Sequence, residues 1–169
     1  MEIISYVIEG ALQHEDSTGN SYKVPAGDVQ RMSAGRGVMH SEFNASKKDK
    51  VKFLQIWIQP NITGIKPSYQ QKSIRQKGQL TSLVNPNGDN GALSINQDAS
   101  LSRLVLKKGE DITFNTKQRI GYLHIIKGQL KANTEQFSAG DGFAVEAEQV
   151  LEINAHSGVE ALWFDLPIV

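Results

Sequence analysis

Short runs of β-branched and aromatic residues alternate with polar residues along the whole chain, and such runs predict β-strands. Within residues 51–58 successive side chains alternate between an apolar and a mixed face, as a strand requires. No window of eleven or more residues carries an apolar stripe with helical periodicity. We therefore predict an all-β fold. Its clearest strands are expected at residues 3–8, 51–58, 101–106, 120–126, 150–153 and 161–166.

The pattern of strands and turns occurs twice. Residues 8–30 and 126–146 each contain an apolar strand, a glycine turn, an alternating strand and an Ala-Gly-Asp turn. The glycines are Gly10 and Gly128, and the Ala-Gly-Asp turns are residues 26–28 and 139–141. Glycine supplies the positive φ angle of tight turns, so matched glycines indicate matched bends of the backbone. The sequence therefore predicts an internal duplication.

The two copies differ in length on their N-terminal side. If the second copy begins near Gln71, it has 57 residues before its turn glycine, whereas the first copy has nine. We therefore expect the first copy to lack about 48 residues relative to the second. The predicted organisation is an N-terminal domain at 1–60, a linker at 61–72 and a C-terminal domain at 73–169.

Composition narrows the classes of function. The chain has 18 Lys plus Arg and 18 Asp plus Glu, so it lacks the basic excess of a nucleic-acid binder. The absence of cysteine excludes disulfides, thiolate metal sites and cysteine nucleophiles. No apolar run approaches the roughly 18–20 residues of a membrane span, and no signal peptide is recognisable. We expect no nucleic-acid or membrane partner and a cytoplasmic location.

The candidate chemistry lies at His40 and Glu42. Residues two apart on a strand project to the same face, so the imidazole and the carboxylate can converge on one point. Nitrogen and oxygen ligands of this kind suit Fe, Mn, Co, Ni or Zn. The His-x-Glu pair is by itself a weak signal, and a solvated strand bearing the same two residues remains the alternative. Of the other histidines, we expect His14 on a hairpin strand, His124 in the core or the wall of the fold, and His156 in a turn.

Residues 24–44, VPAGDVQRMSAGRGVMHSEFN, resemble the second conserved motif of the cupin barrel and are similar in detail to the pirin family of bicupins. The resemblance extends through the hairpin EGALQHEDSTGN, residues 53–58 and the segment with Pro67, Tyr69 and Gln71. It implies two tandem cupin barrels (double-stranded β-helix or jelly-roll), the first incomplete and the second without a metal site. An apolar Ile153, twelve residues after Asp141 as His40 is after Asp28, fits a metal-free second barrel.

In pirin-like proteins three histidines and one glutamate hold the metal, and the resemblance assigns two of these ligands to His40 and Glu42. The other two belong to a His-x-His motif that would precede Met1, so the metal site of this chain is expected to be incomplete. The implied cofactor is a divalent metal, with Fe(II) as the expected ion. Two ligands hold such an ion weakly, so a chain without bound metal is the alternative.

The resemblance implies a quercetin 2,3-dioxygenase-type oxidoreductase that acts on a flavonol-like aromatic substrate. Glu42 would be the catalytic group that accepts the substrate hydroxyl proton, and Gln55 and Trp57 are candidate wall residues of the pocket. Two further interpretations stay open: a non-catalytic regulatory or protein-binding module, and a β-sandwich ligand binder without metal. Whether the chain is an enzyme is left open. Strand edges left exposed by the shorter first copy would favour a homodimer.

Overall fold

The computed structural model describes residues 1–168, and nearly all of its regular structure is β. A 3₁₀ turn at Asp89–Gly91 is the helical element of this part of the chain, and no helix in it has the length and apolar character of a membrane span. All six predicted strands are confirmed. The strands are β1 (Glu2–Glu9), β2 (Ala11–Asp16), β3 (Ser21–Pro25), β4 (Asp28–Ser33), β5 (His40–Asn44), β6 (Lys52–Ile58), β7 (Ser68–Ser73), β8 (Leu80–Asn85), β9 (Leu93–Ser94), β10 (Ser100–Leu106), β11 (Asp111–Asn115), β12 (Ile120–Lys127), β13 (Gln129–Ala132), β14 (Glu135–Ser138), β15 (Gly142–Val145), β16 (Val150–Ala155) and β17 (Val159–Leu166).

The chain divides into two compact units. Unit 1 comprises Met1–Ile74 and Asn85–Gln97, and unit 2 comprises Arg75–Val84 and the chain from Asp98 onward. The boundaries predicted from the sequence, 1–60, 61–72 and 73–169, stay a prediction of domain organisation. Part of the predicted linker is strand β7, which pairs along β4 and so belongs to a sheet of unit 1.

Unit 1 contains two antiparallel sheets, with strand orders β6-β1-β4-β7 and β3-β2-β5. Their facing sides enclose a small apolar cluster. It consists of buried Val7, Leu12 and Val24, with Val51 and Phe53 packed against them. Buried positions alternate along the first half of β2, as burial of one face requires, whereas residues 2–7 of β1 are buried on both faces.

Unit 2 is built in the same way, with the orders β15-β12-β17-β10-β8 and β11-β16-β13-β14. Its core is larger and almost entirely apolar. It includes Leu104, Leu123, Leu130, Ile153 and Trp163.

The predicted duplication is visible in the strand pairing. In unit 1, β1 pairs with β4 and β6, and β2 pairs with β3 and β5. In unit 2, β12 pairs with β15 and β17, and β13 pairs with β14 and β16. The turn glycines match as well: the Gly10 carbonyl accepts from the Ala26 N–H, and the Gly128 carbonyl accepts from the Ala139 N–H.

The pairing corrects one detail of the sequence alignment between the copies. Spacing along the chain placed Ile153 at the position of His40. The strand register instead places Ile153 opposite Ala132, as Glu42 lies opposite His14, so Ile153 is the counterpart of Glu42. The connection between β4 and β5 is two residues longer than that between β15 and β16, and counting along the chain missed this difference. The counterpart of His40 is Leu151, which is also buried.

Unit 2 also contains strands that unit 1 does not match. Strand β10 pairs with β17, and strand β11 pairs with β16. Within residues 1–168, the corresponding strands β6 and β5 of unit 1 have neighbours on one side. The longer second copy therefore contains whole strands that the first copy does not have, as expected from the difference in chain length.

A buried polar cluster fastens residues 85–97 to the outer face of β1 and β4. Glu2 is buried, and its carboxylate accepts from the Ser33 hydroxyl at 2.8 Å and the Asn96 backbone N–H at 3.2 Å. The Arg31 guanidinium donates to the Ser94 carbonyl at 2.7 Å. Hydrogen bonds to charged groups are among the stronger ones, so this cluster explains why the segment belongs to unit 1. Glu2 thus has a structural role.

The turn at Gly10 generates a prediction for stability. Its φ is +71°, and a Cβ added there would lie 2.2 Å from the Lys50 carbonyl oxygen. Gly19 also has a positive φ, +94°, but its added Cβ would meet nothing within 4 Å. We expect Gly19→Ala to lower the free energy of unfolding by about 1 kcal/mol through backbone strain alone. Gly10→Ala should cost about 3–5 kcal/mol because overpacking is added.

Urea denaturation of the two variants and the parent protein measures this difference. Equal losses in the two variants would contradict a close backbone approach at Gly10.

Candidate metal centre

The two predicted site residues lie on one face of the three-stranded sheet of unit 1. In the pairing of β2 with β5, His14 lies opposite Glu42 and Asp16 lies opposite His40. Because side chains two apart share a face, all four side chains project to the same side. The pairing of β2 with β5, two strands that are not consecutive in the chain, therefore brings two imidazoles and two carboxylates to one face.

The Glu42 carboxylate is the centre of this group, with a side chain only 6% exposed. The Ser5 hydroxyl donates to its Oε1 at 3.1 Å. The side-chain amide of Gln30 donates to Oε1, and that of Gln55 donates to Oε2. A buried carboxylate needs such donors to offset its loss of hydration. Both oxygens are therefore held by protein groups.

These donors come from one row across the four-stranded sheet. Ser5 on β1 lies opposite Gln55 on β6 and Gln30 on β4, and Gln30 lies opposite Gln71 on β7. Polar residues at the same level of four neighbouring strands form a belt across the inner face. The belt faces Glu42 of the other sheet.

Two aromatic side chains fix the orientation of the glutamine amides. The Tyr69 hydroxyl donates to Gln30 Oε1 at 2.8 Å, and the Trp57 indole N–H donates to Gln55 Oε1 at 2.9 Å. An amide whose oxygen accepts in this way must direct its NH₂ group elsewhere. In both glutamines that group points to Glu42, so the aromatic donors make the amides into a clamp on the carboxylate.

His14 is fully buried beside this clamp. Its Nε2 lies 3.1 Å from Asp16 Oδ2, and its Nδ1 lies 3.7 Å from Glu42 Oε1 without a hydrogen-bond partner in the described part of the chain. Asp16 is itself held by the turn that follows β2. It accepts from the Thr18 N–H at 2.9 Å and the Asn20 side-chain amide at 2.8 Å.

The electrostatics follow from these contacts. Burial alone would raise the pKa of Glu42, but the nearby His14 imidazole and the hydrogen bonds from Ser5 and Gln55 outweigh it, so the pKa is lowered. Burial opposes the charged form of His14, yet Glu42 and Asp16 raise its pKa. For Tyr69, burial and the Glu42 charge both raise the pKa, which keeps its hydroxyl a donor.

Unit 2 provides an internal comparison for every member of this polar group. At the positions of Ser5, His14, Gln30, Glu42 and Gln55, defined by the turn glycines and strand register, it has apolar residues. The counterparts are Leu123, Ala132, Phe143, Ile153 and Trp163. All five belong to the unit 2 core or pack against it. The fold therefore does not need polar side chains at these positions.

The donor chemistry fits a divalent metal in part. His40 and Glu42 offer an imidazole nitrogen and a carboxylate oxygen, which suit Fe, Ni and similar ions. The unpartnered Nδ1 of buried His14 shows that the hydrogen-bonding capacity of the polar group is not fully used within the described part of the chain. In residues 1–168, however, no three His, Asp or Glu side chains are arranged to hold a metal together. The pair therefore fits as two ligands of a centre that needs further ligands.

The structure thus brings together the residues that the sequence singled out and adds others. Gln55 contacts Glu42 directly, and Trp57 acts through Gln55. His124 is partly buried on β12 and His156 is exposed in a turn, as predicted. Sequence reasoning missed the contributions of His14, Asp16, Ser5, Gln30 and Tyr69. The spacing of His14 and Asp16, equal to that of His40 and Glu42, was the available signal.

Comparison with known proteins agrees with this fold. A model of the pirin family matches residues 1–58, and a model of the quercetinase C-terminal cupin domain matches residues 82–166. The chain is 39% identical over 170 residues to a quercetin 2,3-dioxygenase of Escherichia coli K12, covering 100% of this chain and 74% of the relative. A pirin-like protein of Caulobacter vibrioides is 37% identical over 170 residues, covering 98% and 73%.

Solved structures give the same result. The crystal structure of YhhW from Escherichia coli matches with a TM-score of 0.95 at 39% identity, covering 99% of this chain and 72% of that one. The bacterial pirin YhhW in complex with nickel(II) matches with a TM-score of 0.94, covering 100% and 73%. The fold and domains define an all-β bicupin protein, as predicted. The chain belongs to the pirin family.

The shifted pKa values of His14 and Glu42 predict how the stability of the fold depends on pH. Since the pKa of His14 is raised from 6.5, the folded state keeps a proton that the unfolded state loses above that pH. We expect the free energy of unfolding of metal-free protein to fall as pH rises above about 6.5, by up to about 1.4 kcal/mol per unit. The lowered pKa of Glu42 has the opposite effect, because its contribution is lost on acidification below 4.5.

Urea denaturation between pH 5 and 9 measures the alkaline decline. His14→Ala, which copies Ala132 of unit 2, is the matched variant and should lack it. A decline of the same slope in the variant would show that His14 is not its source.

Proposed function

We propose that His40 and Glu42 supply two ligands of a divalent metal centre, and that the centre supports dioxygenation of a flavonol-type aromatic substrate. The observation that carries the proposal is the polar group around Glu42, placed where the duplicated unit has apolar core. The names of the relatives support the substrate class, and the nickel(II) complex of YhhW supports metal binding. Fe(II) remains the expected ion, and the identity of the metal is part of the proposal.

A bound metal would act as a Lewis acid toward the oxygens of the substrate. His40 would bind through one neutral ring nitrogen. Glu42 would accept the substrate hydroxyl proton as general base, and its lowered pKa means that the carboxylate is free of a proton at neutral pH. The amides of Gln30 and Gln55 would hold that carboxylate in place while the proton moves.

A substrate would reach the proposed centre from the side of His40, because this residue borders an open groove. An open groove of about 270 Å³ is lined by Glu15, Asp16, Ser17, Met39, His40 and Ser41. Met39 is 78% exposed at its rim. An apolar, flexible side chain beside the proposed ligand pair suits a flat aromatic substrate.

The second candidate function is a non-catalytic, pirin-like binding module. It is favoured by one observation: the Glu42 carboxylate is already held by several donors, and the described residues do not complete a metal site. In this alternative the polar group has a structural or recognition role.

Metal content distinguishes the two functions. We expect untagged protein, purified without chelators, to contain about one Fe, Ni, Mn or Zn per chain by elemental mass spectrometry. His40→Ala should remove that metal while its circular dichroism spectrum stays unchanged, because the position is partly exposed. His156→Ala, at an exposed turn, is the control and should keep the parent's metal content.

A parent protein without stoichiometric metal would contradict the proposed centre and favour the binding module. Metal that survives in His40→Ala would place the metal elsewhere in the chain. Flavonol oxygenation, followed as oxygen uptake, then tests the substrate class with metal-loaded parent protein.

A further inference from the structure

His14 lies beside Glu42 in the polar group, although the proposed chemistry does not use it. Its side chain is fully buried between Asp16 and Glu42, and its ring packs against Tyr69 with the centroids 4.7 Å apart. A buried polar atom without a partner is costly, so the unpaired Nδ1 needs an explanation.

The direction of Nδ1 is fixed by the rest of the ring. Nε2 is bound to Asp16, and Thr18 and Asn20 hold the Asp16 carboxylate from the turn. Rotation of the imidazole would break the contact with Asp16. Because the ring cannot turn freely, Nδ1 stays directed at Glu42 Oε1, 3.7 Å away.

The fold itself does not require a histidine here. The counterpart in unit 2 is Ala132, opposite Ile153, and it lies in a well-packed core. His14 and Glu42 are therefore paired in unit 1 where a small and a branched apolar residue are paired in unit 2. This pairing associates His14 with the Glu42 carboxylate rather than with the packing of the sheet.

We propose that His14, oriented by Asp16, is a positioning residue that holds the Glu42 carboxylate through Nδ1. A shift of the carboxylate by less than 1 Å closes the 3.7 Å separation to a hydrogen bond. Glu42 is then held on its Oε1 side by Ser5, Gln30 and His14. A test of this proposal by metal affinity rests on the proposed function. A test by the position of Glu42 in a crystal structure does not.

Two substitutions separate the roles of the two ring nitrogens. In His14→Asn the amide nitrogen takes the place of Nδ1, so the contact with Glu42 is kept and that with Asp16 is lost. In His14→Gln the amide nitrogen reaches as far as Nε2, so the contact with Asp16 is kept and that with Glu42 is lost. His14→Ala removes both and copies the residue that unit 2 tolerates.

The first measurement is the affinity of the metal-free chain for nickel(II) by titration calorimetry. We expect His14→Asn to stay within about threefold of the parent, and His14→Gln and His14→Ala to bind about 10–100-fold more weakly. His124→Gln, a partly buried histidine of unit 2, is the control and should bind as the parent does. Parent-like affinity in His14→Gln would overturn the proposal.

The second measurement is the crystal structure of each metal-free variant. Glu42 should keep its position in His14→Asn and move or become disordered in His14→Gln and His14→Ala. An unmoved Glu42 in both of the latter overturns the proposal. If the parent binds no nickel(II), the proposed function fails, and these structures still decide whether His14 positions Glu42.

Discussion

Burial of one carboxylate, that of Glu42, determines how the first unit is built. A carboxylate so nearly removed from water is stable only with several donors around it. Those donors are Ser5 and the two glutamine amides of the four-stranded sheet, and they reach a carboxylate that belongs to the other sheet. The registers of β1, β4, β5 and β6, which carry these side chains, must therefore place all of them at the same level. A slip by one residue would turn the whole polar belt away from the carboxylate.

The duplicated unit shows what the same strands do without this constraint. Leucine, isoleucine and aromatic residues fill the corresponding positions, and the unit gains a larger apolar core. Replacement of a buried polar network by well-packed apolar residues is often neutral or stabilising. Stability therefore does not explain the polar group of unit 1, and this agrees with the functional site proposed above.

Local patterns in the sequence predicted most of the fold. Alternation of side chains located the strands, and matched glycines revealed the duplication, because both signals depend on a few neighbouring residues. The shared face of His40 and Glu42 followed from their spacing in the same way. The partners of Glu42 did not, since Ser5 and Gln30 reach it only through the packing of two sheets. Counting along the chain matched Ile153 to His40 instead of Glu42, because the two copies differ by two residues in one loop and this difference alters no local pattern.

The chain also carries a built-in optical probe for each unit. Its two tryptophans are Trp57, which is 62% exposed in unit 1, and Trp163, which is 7% exposed in unit 2. The Trp163 ring stacks on Phe114 with the centroids 4.2 Å apart, whereas the Trp57 indole is hydrogen-bonded to Gln55. Their fluorescence spectra must therefore differ, with long-wavelength emission from Trp57 and short-wavelength emission from Trp163. Single-tryptophan variants would report the melting of each unit separately, and Trp57 would sense changes one side chain away from Glu42.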